Sequence, residues 1–118
     1  MASHNDLGRR GEFIAKEYLE NQGYSILKIN WKYGRAEVDI IANQQGTIIF
    51  VEVKTRTSID YGMPEEFVNY TKARLIMKAA EHYIFDKDWH FDIRFDIISI
   101  LILPNGALNI RHIEDAFC

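Results

Sequence analysis

The sequence predicts an α/β fold in which one mixed central sheet is flanked by helices, with the elements in the order αβββαββ. Two segments carry apolar residues at helical spacing, and five others are rich in β-branched and aromatic residues and bounded by turn residues. With 118 residues, 47% of them hydrophobic, the chain is long enough to bury one core but not two. These observations predict a single domain over residues 1–118.

The N-terminal half is predicted to form one helix followed by a three-stranded meander. Apolar residues recur every three or four positions in the helix, and Gly23 follows it where a C-terminal cap belongs. The second and third strands are joined by a tight turn at Gln45 and Gly46. The predicted elements are a helix at 5–22 and strands at 24–33, 35–43 and 47–56.

The C-terminal half is predicted to return the chain to the sheet through a helix. Pro64 suits the first turn of a helix, and Glu65 and Glu66 follow it in positions that the helix dipole favours. A longer helix then carries alanine, leucine and isoleucine at helical spacing, and a Pro-Asn-Gly turn separates the last two strands. The predicted elements are a loop at 58–64, a helix at 71–85 and strands at 91–103 and 107–113.

The hairpin turn fixes a register for the second and third strands. If the turn has two central residues, Asp39 lies directly opposite Glu52, and Glu37 lies opposite Lys54. Two opposed carboxylates have Cβ atoms about 5 Å apart and repel each other, and a divalent cation would relieve that repulsion. Two alternatives stay open: a turn longer by one residue would move Asp39 to the other face, and a lysine opposite a glutamate is an ordinary cross-strand ion pair.

The same register predicts that the two faces of this hairpin differ in composition. The face of Asp39 and Glu52 becomes apolar nearer the turn, so we expect the first helix to cover it. The opposite face is wholly apolar and is predicted to belong to the core; it consists of Val38, Ile40, Ala42, Ile49, Val51 and Val53.

The first helix supplies a further candidate acid. Gly8 and Gly11 cost the helix about 1 kcal/mol each relative to alanine, which favours the close approach of another backbone. Glu12 lies at the edge of the apolar stripe and can lean toward the sheet, although an edge glutamate is more often a solvated residue. Four acids are thus expected to converge: Glu12, Glu37, Asp39 and Glu52.

Composition limits the classes of function. A net charge of −3, from 14 basic and 17 acidic residues, excludes a globally basic nucleic-acid binder, so any nucleic-acid surface must be a local patch. Cys118 is the single cysteine and forms no internal disulfide, and the N-terminus lacks the pattern of a secretion signal. The apolar runs are too short to span a bilayer. We therefore expect a cytoplasmic protein with no membrane partner.

Several motifs resemble those of the small bacterial YraN-like family in the PD-(D/E)XK, or restriction-endonuclease-like, nuclease superfamily, which is similar to the archaeal Holliday-junction resolvases. They are GRRGE in the first helix, AEVDIIA and VEVKTR in the hairpin, and RFDIISI and AF near the C-terminus. The resemblance implies an αβββαβ core, with the motif aspartate at Asp39, the (D/E)XK pair at Glu52 and Lys54, and a helix-borne acid at Glu12. One position departs, since Val38 stands where the proline of the superfamily's name would precede Asp39.

The resemblance implies a metal-dependent endonuclease that hydrolyses DNA phosphodiester bonds, at branched or structured DNA. Asp39, Glu52 and Glu12 would hold Mg²⁺ or Mn²⁺, and Lys54 would position water or stabilise the transition state. Glu37 either holds Lys54 in place or forms an ordinary surface pair. The expected phosphate contacts, each of which is otherwise a solvated residue, are Arg9, Arg10, Arg35, Arg56, Lys72, Arg74 and Lys78.

Partners and alternatives follow from the same reasoning. No base-reading motif is visible, so we expect recognition of DNA shape rather than sequence. A branched substrate calls for a homodimer, for which the strand at 91–103 is either an interface or part of the core. Two other functions stay open: a nucleic-acid-binding protein that keeps the nuclease-like fold without turnover, and a protein-interaction module.

Overall fold

The computed structural model describes residues 4–57 and 69–117, which form a five-stranded mixed sheet with one helix on each face. The strand order is β1-β2-β3-β4-β5, with β3 and β4 parallel and the other neighbours antiparallel. This is the predicted α/β fold, and it fits a restriction-endonuclease-like core. The elements are α1 (His4–Asn21), β1 (Ser25–Tyr33), β2 (Ala36–Gln44), β3 (Thr47–Arg56), α2 (Tyr70–Asp86), β4 (Ile93–Ile102) and β5 (Leu108–Ile113).

The predicted loop at 58–64, the helix beginning at Pro64 and Cys118 lie outside the described residues. In the part of the chain that the structure describes, no helix combines the length and apolar character needed to cross a bilayer.

The β2–β3 turn has the predicted two central residues. Gln45 and Gly46 both have positive φ angles, 51° and 84°, which is the type I′ geometry that matches the twist of antiparallel strands. The ladder runs in the predicted register from the pair Gln44–Thr47 to the pair Ile40–Val51. The turn therefore sets the register of the two strands that carry Asp39 and Glu52.

Two apolar clusters lie on opposite faces of the sheet. On one face α1 packs Ala15 and Leu19 against Ile40, Ile49 and their neighbours. On the other face α2 packs its own apolar residues, among them Ile76 and Tyr83, against the face that carries Ile41, Ile48 and Phe50. The expectation that the first helix covers this second face is wrong. The helix that covers it is α2, because α2 connects the parallel strands β3 and β4 and must cross one face of the sheet.

Strand β2 changes face at Asp39. Val38 packs in the α2 cluster, whereas Ile40 packs in the α1 cluster and Ile41 again in the α2 cluster. Residues two apart in a regular strand share a face, so the alternation is shifted by one position at Asp39. The prediction that Val38 shares a face with Ile40 is therefore wrong, and the regular β2–β3 ladder ends at Ile40 and Val51.

Helix α1 approaches the sheet closely at one of its two glycines. A Cβ atom on Gly11 would lie 1.7 Å from Oγ1 of Thr55 on β3, so only glycine fits there. The close approach predicted for Gly11 is confirmed, although the contact is with a side chain. At Gly8 the prediction is wrong as far as residues 4–57 and 69–117 are concerned, since none of their atoms lies within 4 Å of a Cβ added there.

Strand β4 belongs to the core. It lies between β3 and β5, and residues 95–100 are all buried. Residues 95–100 of the segment 91–103 are therefore core, and the homodimer stays a prediction.

Candidate active site

Asp39 is buried where β2 and β3 separate. Its side chain is only 8% exposed, and its Oδ2 atom accepts a hydrogen bond of 2.7 Å from the backbone N–H of Val53. The carboxyl group thus satisfies a backbone donor of β3 beyond the point where the strand ladder ends. This bond holds the carboxyl beside the next residue of interest, Glu52.

The carboxyl groups of Asp39 and Glu52 form a close buried pair. They lie within hydrogen-bonding reach of each other, and Glu52 is 5% exposed. Burial and the negative charge of Glu52 raise the pKa of Asp39 to about 8, and the charge of Glu12 acts in the same direction, while the N–H of Val53 opposes it. At neutral pH the pair of Asp39 and Glu52 therefore shares a proton in the folded protein and carries less than its full negative charge.

Glu12 joins this pair from the other side of the sheet. Its side chain lies within hydrogen-bonding reach of Asn30 and Asp39. Burial raises the pKa of Glu12, and the nearby charges of Glu37 and Glu52 raise it further, against those hydrogen bonds. The structure thus brings together three of the predicted acids, with Glu37 close enough to act on them electrostatically.

The ammonium group of Lys72 on α2 is the cation that contacts this acidic cluster. Lys72 forms an ion pair and hydrogen bond with Oε2 of Glu52. Burial lowers the pKa of Lys72, but the bond to Glu52 and the charges of Asp39 and Glu37 outweigh that effect and raise it. The structure thus pairs Lys72 with a candidate metal ligand. Its predicted contact with a phosphate stays a prediction.

Lys54 and Glu37 do not form the predicted pair. Glu37 lies opposite Lys32 of β1, 3.9 Å from its ammonium group, so the prediction of a Glu37–Lys54 pair is wrong. The reason is the end of the β2–β3 ladder at Ile40, beyond which β2 stays paired with β1 only. Lys54 is half-buried on β3 and lies opposite Ser99 of β4.

A cavity of about 150 Å³ opens at the acidic cluster. Asp39, Glu52 and Lys72 contribute to its wall, and Arg35 stands at the same wall as an exposed cation. Glu12 and Lys54 do not line it. The described residues that line it are Arg35, Ala36, Glu37, Asp39, Glu52, Lys72, Leu75 and Ile76.

The other predicted phosphate contacts are distributed over the molecule. Arg9 and Arg10 are exposed on α1, with Arg9 4.0 Å from Asp6. Arg56 is half-buried near the end of β3. Arg74 and Lys78 are exposed on α2 and line a second cavity next to the acidic one. Of the predicted cations, Arg35 and Lys72 are therefore the ones that line the acidic cavity.

The donor chemistry of the cluster fits a hard divalent cation. Adjacent carboxylates are the ligands that Mg²⁺ and Mn²⁺ prefer, and Mg²⁺ is often held by one or two carboxylates with water and a substrate phosphate. Within residues 4–57 and 69–117, no three acidic, histidine or cysteine side chains are already arranged to hold a metal ion. Asp39 and Glu52 would accordingly act as a two-carboxylate site, and Lys72 would have to leave Glu52 for a cation to bind there.

Sequence reasoning missed two features. Asn30, whose side chain acts to lower the pKa of Glu12, is a non-glycine residue with a positive φ of 52°, and neither fact is visible in the pattern of β1. A buried network around Asp96 on β4 was also missed, although an aspartate within the apolar run RFDIISI is a signal that could have revealed it.

Comparison with known proteins identifies relatives over the whole chain. The sequence model of the family described as "Uncharacterised protein family UPF0102" matches residues 11–100, which include Glu12, Asp39 and Glu52. A UPF0102 protein of Flavobacterium psychrophilum is 47% identical over 117 residues, covering 99% of this chain and 98% of the relative. A UPF0102 protein of Dictyoglomus turgidum is 42% identical, covering 98% and 99%.

Among solved structures, SfsA of Pyrococcus furiosus in complex with Ca²⁺ aligns with 88% of this chain and 60% of its own, at 14% identity and a TM-score of 0.36. A similarity this weak carries no argument.

Proposed function

The chain belongs to UPF0102, the YraN family within the PD-(D/E)XK-like nuclease superfamily, and we propose that it is a metal-dependent endonuclease that hydrolyses DNA phosphodiester bonds. The observation that carries the proposal is the buried carboxyl pair of Asp39 and Glu52, with Glu12 beside it, at the wall of a cavity. Buried carboxyls with a raised pKa in a cavity are typical of functional sites, because an apolar or fully paired arrangement would be more stable.

In this proposal Asp39 and Glu52 hold Mg²⁺ or Mn²⁺, and Glu12 orients the ligands of that site. When bound, the ion neutralises charge on the scissile phosphate and makes a coordinated water more acidic. The N–H of Val53 fixes the direction of the Asp39 carboxyl, and burial keeps bulk water from screening the pair.

Two cations of this chain have roles toward the phosphate. Lys72 neutralises Glu52 before substrate binds and, once released from Glu52, is free to contact a phosphate oxygen at the same wall. Arg35 stands at the rim and adds a positive charge there. Lys54 would position the attacking water, and Lys54→Ala tests this role separately from that of Lys72.

Cleavage assays test the proposal directly. Purified protein is incubated with supercoiled, branched and single-stranded DNA in the presence of Mg²⁺ or Mn²⁺. We expect wild-type cleavage, and a loss of at least about 100-fold in Asp39→Asn and Glu52→Gln because the metal site is lost. Lys54→Ala and Lys72→Ala, assayed side by side, determine which lysine acts on the phosphate.

A matched control guards against a contaminating nuclease. Glu17→Gln removes an exposed acid of α1 that lies outside the cluster, and it should cleave as the wild type does. Cleavage that survives in both Asp39→Asn and Glu52→Gln would show that another protein in the preparation is responsible, and the proposal would then fail.

A nucleic-acid-binding protein without turnover is a second candidate. The contact between Lys72 and Glu52 favours it, because an internal cation already compensates one of the two carboxylates. Tight DNA binding without cleavage in either metal, by protein whose fold is intact, would favour this function over the nuclease.

A further inference from the structure

A second cavity of about 260 Å³ lies on the exposed side of α2 and has a different character from the acidic one. It is lined by Tyr70, Thr71, Arg74, Leu75 and Lys78, which recur at helical spacing along one stripe of the helix. The stripe contains an aromatic ring, two cations, a hydroxyl group and an aliphatic side chain, and it contains no acid. Such a combination suits a polyanion that also carries flat apolar groups.

Tyr70 is exposed in the way that a stacking residue requires. It is 75% exposed, although burial of its ring would be favourable. The guanidinium group of Arg74 lies over the ring, with Cζ 5.6 Å from the ring centroid. This contact holds the ring in position and places a positive charge beside it, so that a base on the ring would have its phosphate close to Arg74.

The α2 stripe continues into the candidate active site. Leu75 lines both cavities, and Lys72, one turn before Ile76, stands at the wall of the acidic one. The α2 stripe therefore borders the acidic cavity at Leu75.

The third large cavity of the described residues is a useful contrast. It has a volume of about 440 Å³ and is lined by Glu81, Ile84, Phe85, Asp88, Trp89 and His90. It offers aromatic rings as well, but Glu81 and Asp88 give it negative charge, which disfavours a phosphate backbone. Aromatic exposure alone thus does not distinguish the α2 stripe, whereas aromatic exposure combined with positive charge does.

We propose that the α2 stripe binds an unpaired DNA strand, with a base stacked on Tyr70 and phosphates on Arg74 and Lys78. Bases within a duplex are stacked on each other and cannot reach an exposed side-chain ring, so this contact selects a flap, a tail or a single-stranded gap. The inference rests on the proposed nuclease function, because it names the class of DNA substrate for the candidate active site.

Binding measurements without turnover test the inference. Wild-type protein is titrated into fluorescently labelled DNA that is single-stranded, blunt duplex or tailed duplex. The buffer contains EDTA and about 50 mM salt, because phosphate contacts are strong at low salt. We expect the single-stranded and tailed DNA to bind at least about tenfold more tightly than the blunt duplex. Tyr70→Ala should lose about tenfold in affinity for single-stranded DNA, whereas Tyr70→Phe should retain it because the ring is kept.

Two further variants separate stacking from general effects. Arg74→Gln should weaken binding of single-stranded DNA and reduce the salt dependence by about one phosphate contact. Phe85→Ala removes a ring on the same helix that is 85% exposed but lines the third cavity, and it should bind as the wild type does. Thermal melts of each variant establish that the fold is intact.

The outcomes distinguish this inference from the nuclease proposal. Equal affinity for blunt and single-stranded DNA, or full affinity in Tyr70→Ala, overturns the inference even if Asp39-dependent cleavage is observed. Binding that depends on Tyr70, in a protein that cleaves no DNA, supports the inference and removes the nuclease proposal.

Discussion

Asp39 on β2 and Asp96 on β4 are both buried aspartates of the same sheet, yet their surroundings act on them in opposite directions. Burial and the charge of Glu52 raise the pKa of Asp39 to about 8. Burial also acts to raise the pKa of Asp96, but hydrogen bonds from His112, Arg94 and the backbone N–H of Asp115 outweigh it and lower that pKa below its usual value.

The surroundings of Asp96 are complete. Arg94 bonds both carboxyl oxygens, at 2.9 and 2.8 Å, and Nε2 of His112 lies 2.7 Å from Oδ2. The network extends outward, because Arg94 also donates to the hydroxyl of Tyr24 and Nδ1 of His112 lies 3.3 Å from the hydroxyl of Tyr18. Asp96 thus ties β4 to β5 and to the end of α1, which is a structural role.

The surroundings of Asp39 are incomplete. Its neighbours include two further acids, Glu12 and Glu52, while the ammonium group of Lys72 bonds Glu52 rather than Asp39. An arrangement that repels its own charges is costly for stability, and such an arrangement is expected where a ligand supplies the missing positive charge. Burial is therefore common to both aspartates, and the difference between them is that the charge of Asp96 is compensated whereas that of Asp39 is not.

Removing the acid at each position should give the largest difference between the two regions. Asp96→Asn should lower the free energy of unfolding by about 3 kcal/mol, because Arg94 loses its charged partner inside the protein. Asp39→Asn should cost little or increase stability, because it removes a carboxyl from a repelling cluster. Urea denaturation at neutral pH measures both, and equal losses in the two variants would contradict the comparison.

The pH dependence of stability should differ in sign between the two aspartates. Because the pKa of Asp39 is raised on folding, its contribution is fully present below its ordinary pKa of 3.8 and is lost as the pH rises through about 8. As the pH rises from 5 to 8, the free energy of unfolding of Asp39→Asn should therefore increase by on the order of 2 kcal/mol relative to that of the wild type. Each pKa unit corresponds to about 1.4 kcal/mol, and the change is smaller than the full shift of Asp39 because the proton is shared with Glu52.

The lowered pKa of Asp96 has the opposite consequence. Its contribution is present above the ordinary pKa of 3.8 and is lost as the pH falls through the lower value of the folded protein. The difference in the free energy of unfolding between the wild type and Asp96→Asn should therefore decrease only in strong acid. Urea denaturation as a function of pH measures both trends, and a constant gap for Asp39→Asn from pH 5 to 8 would argue against a proton on Asp39.

Addition of Mn²⁺ should stabilise only the Asp39 region, and this is the smallest of the three effects. We expect the melting midpoint of the wild type to rise by about 4 °C, corresponding to roughly 1 kcal/mol, and to rise more at pH 8.5 than at pH 6.5 because the proton on Asp39 competes with the metal. Asp39→Asn should abolish the rise, and Asp96→Asn should retain it.

Lys72 offers a finer test of the same region. Lys72→Gln removes the cation that competes with the metal for Glu52. The melting midpoint of this variant should therefore rise at lower Mn²⁺ concentrations than that of the wild type. Lys28→Gln, which removes an exposed lysine of β1, serves as the matched control. A response of Lys72→Gln that equals the wild type would mean that Lys72 does not compete with the metal.

The element order, the hairpin register and the carboxyl pair could be predicted from the sequence because each depends on local signals. Gln45-Gly46 favours a two-residue turn, and the register that this turn sets runs as far as the pair Ile40–Val51, next to Asp39 and Glu52. The partner of Glu37 could not be predicted in the same way. It depends on where β2 leaves β3 and stays with β1, and the alternation of β2 gives no sign of that point.

What the sequence determined by itself is therefore the set of strands and helices, their order, the turn and the acids that the turn aligns. What only the tertiary structure decided is which cation faces those acids, which helix covers which face, and that Asp96 is compensated while Asp39 is not. The physical reason is range: turn geometry and side-chain periodicity act over a few residues, whereas charge compensation depends on side chains from α2, β4 and β5 that meet only in the folded chain.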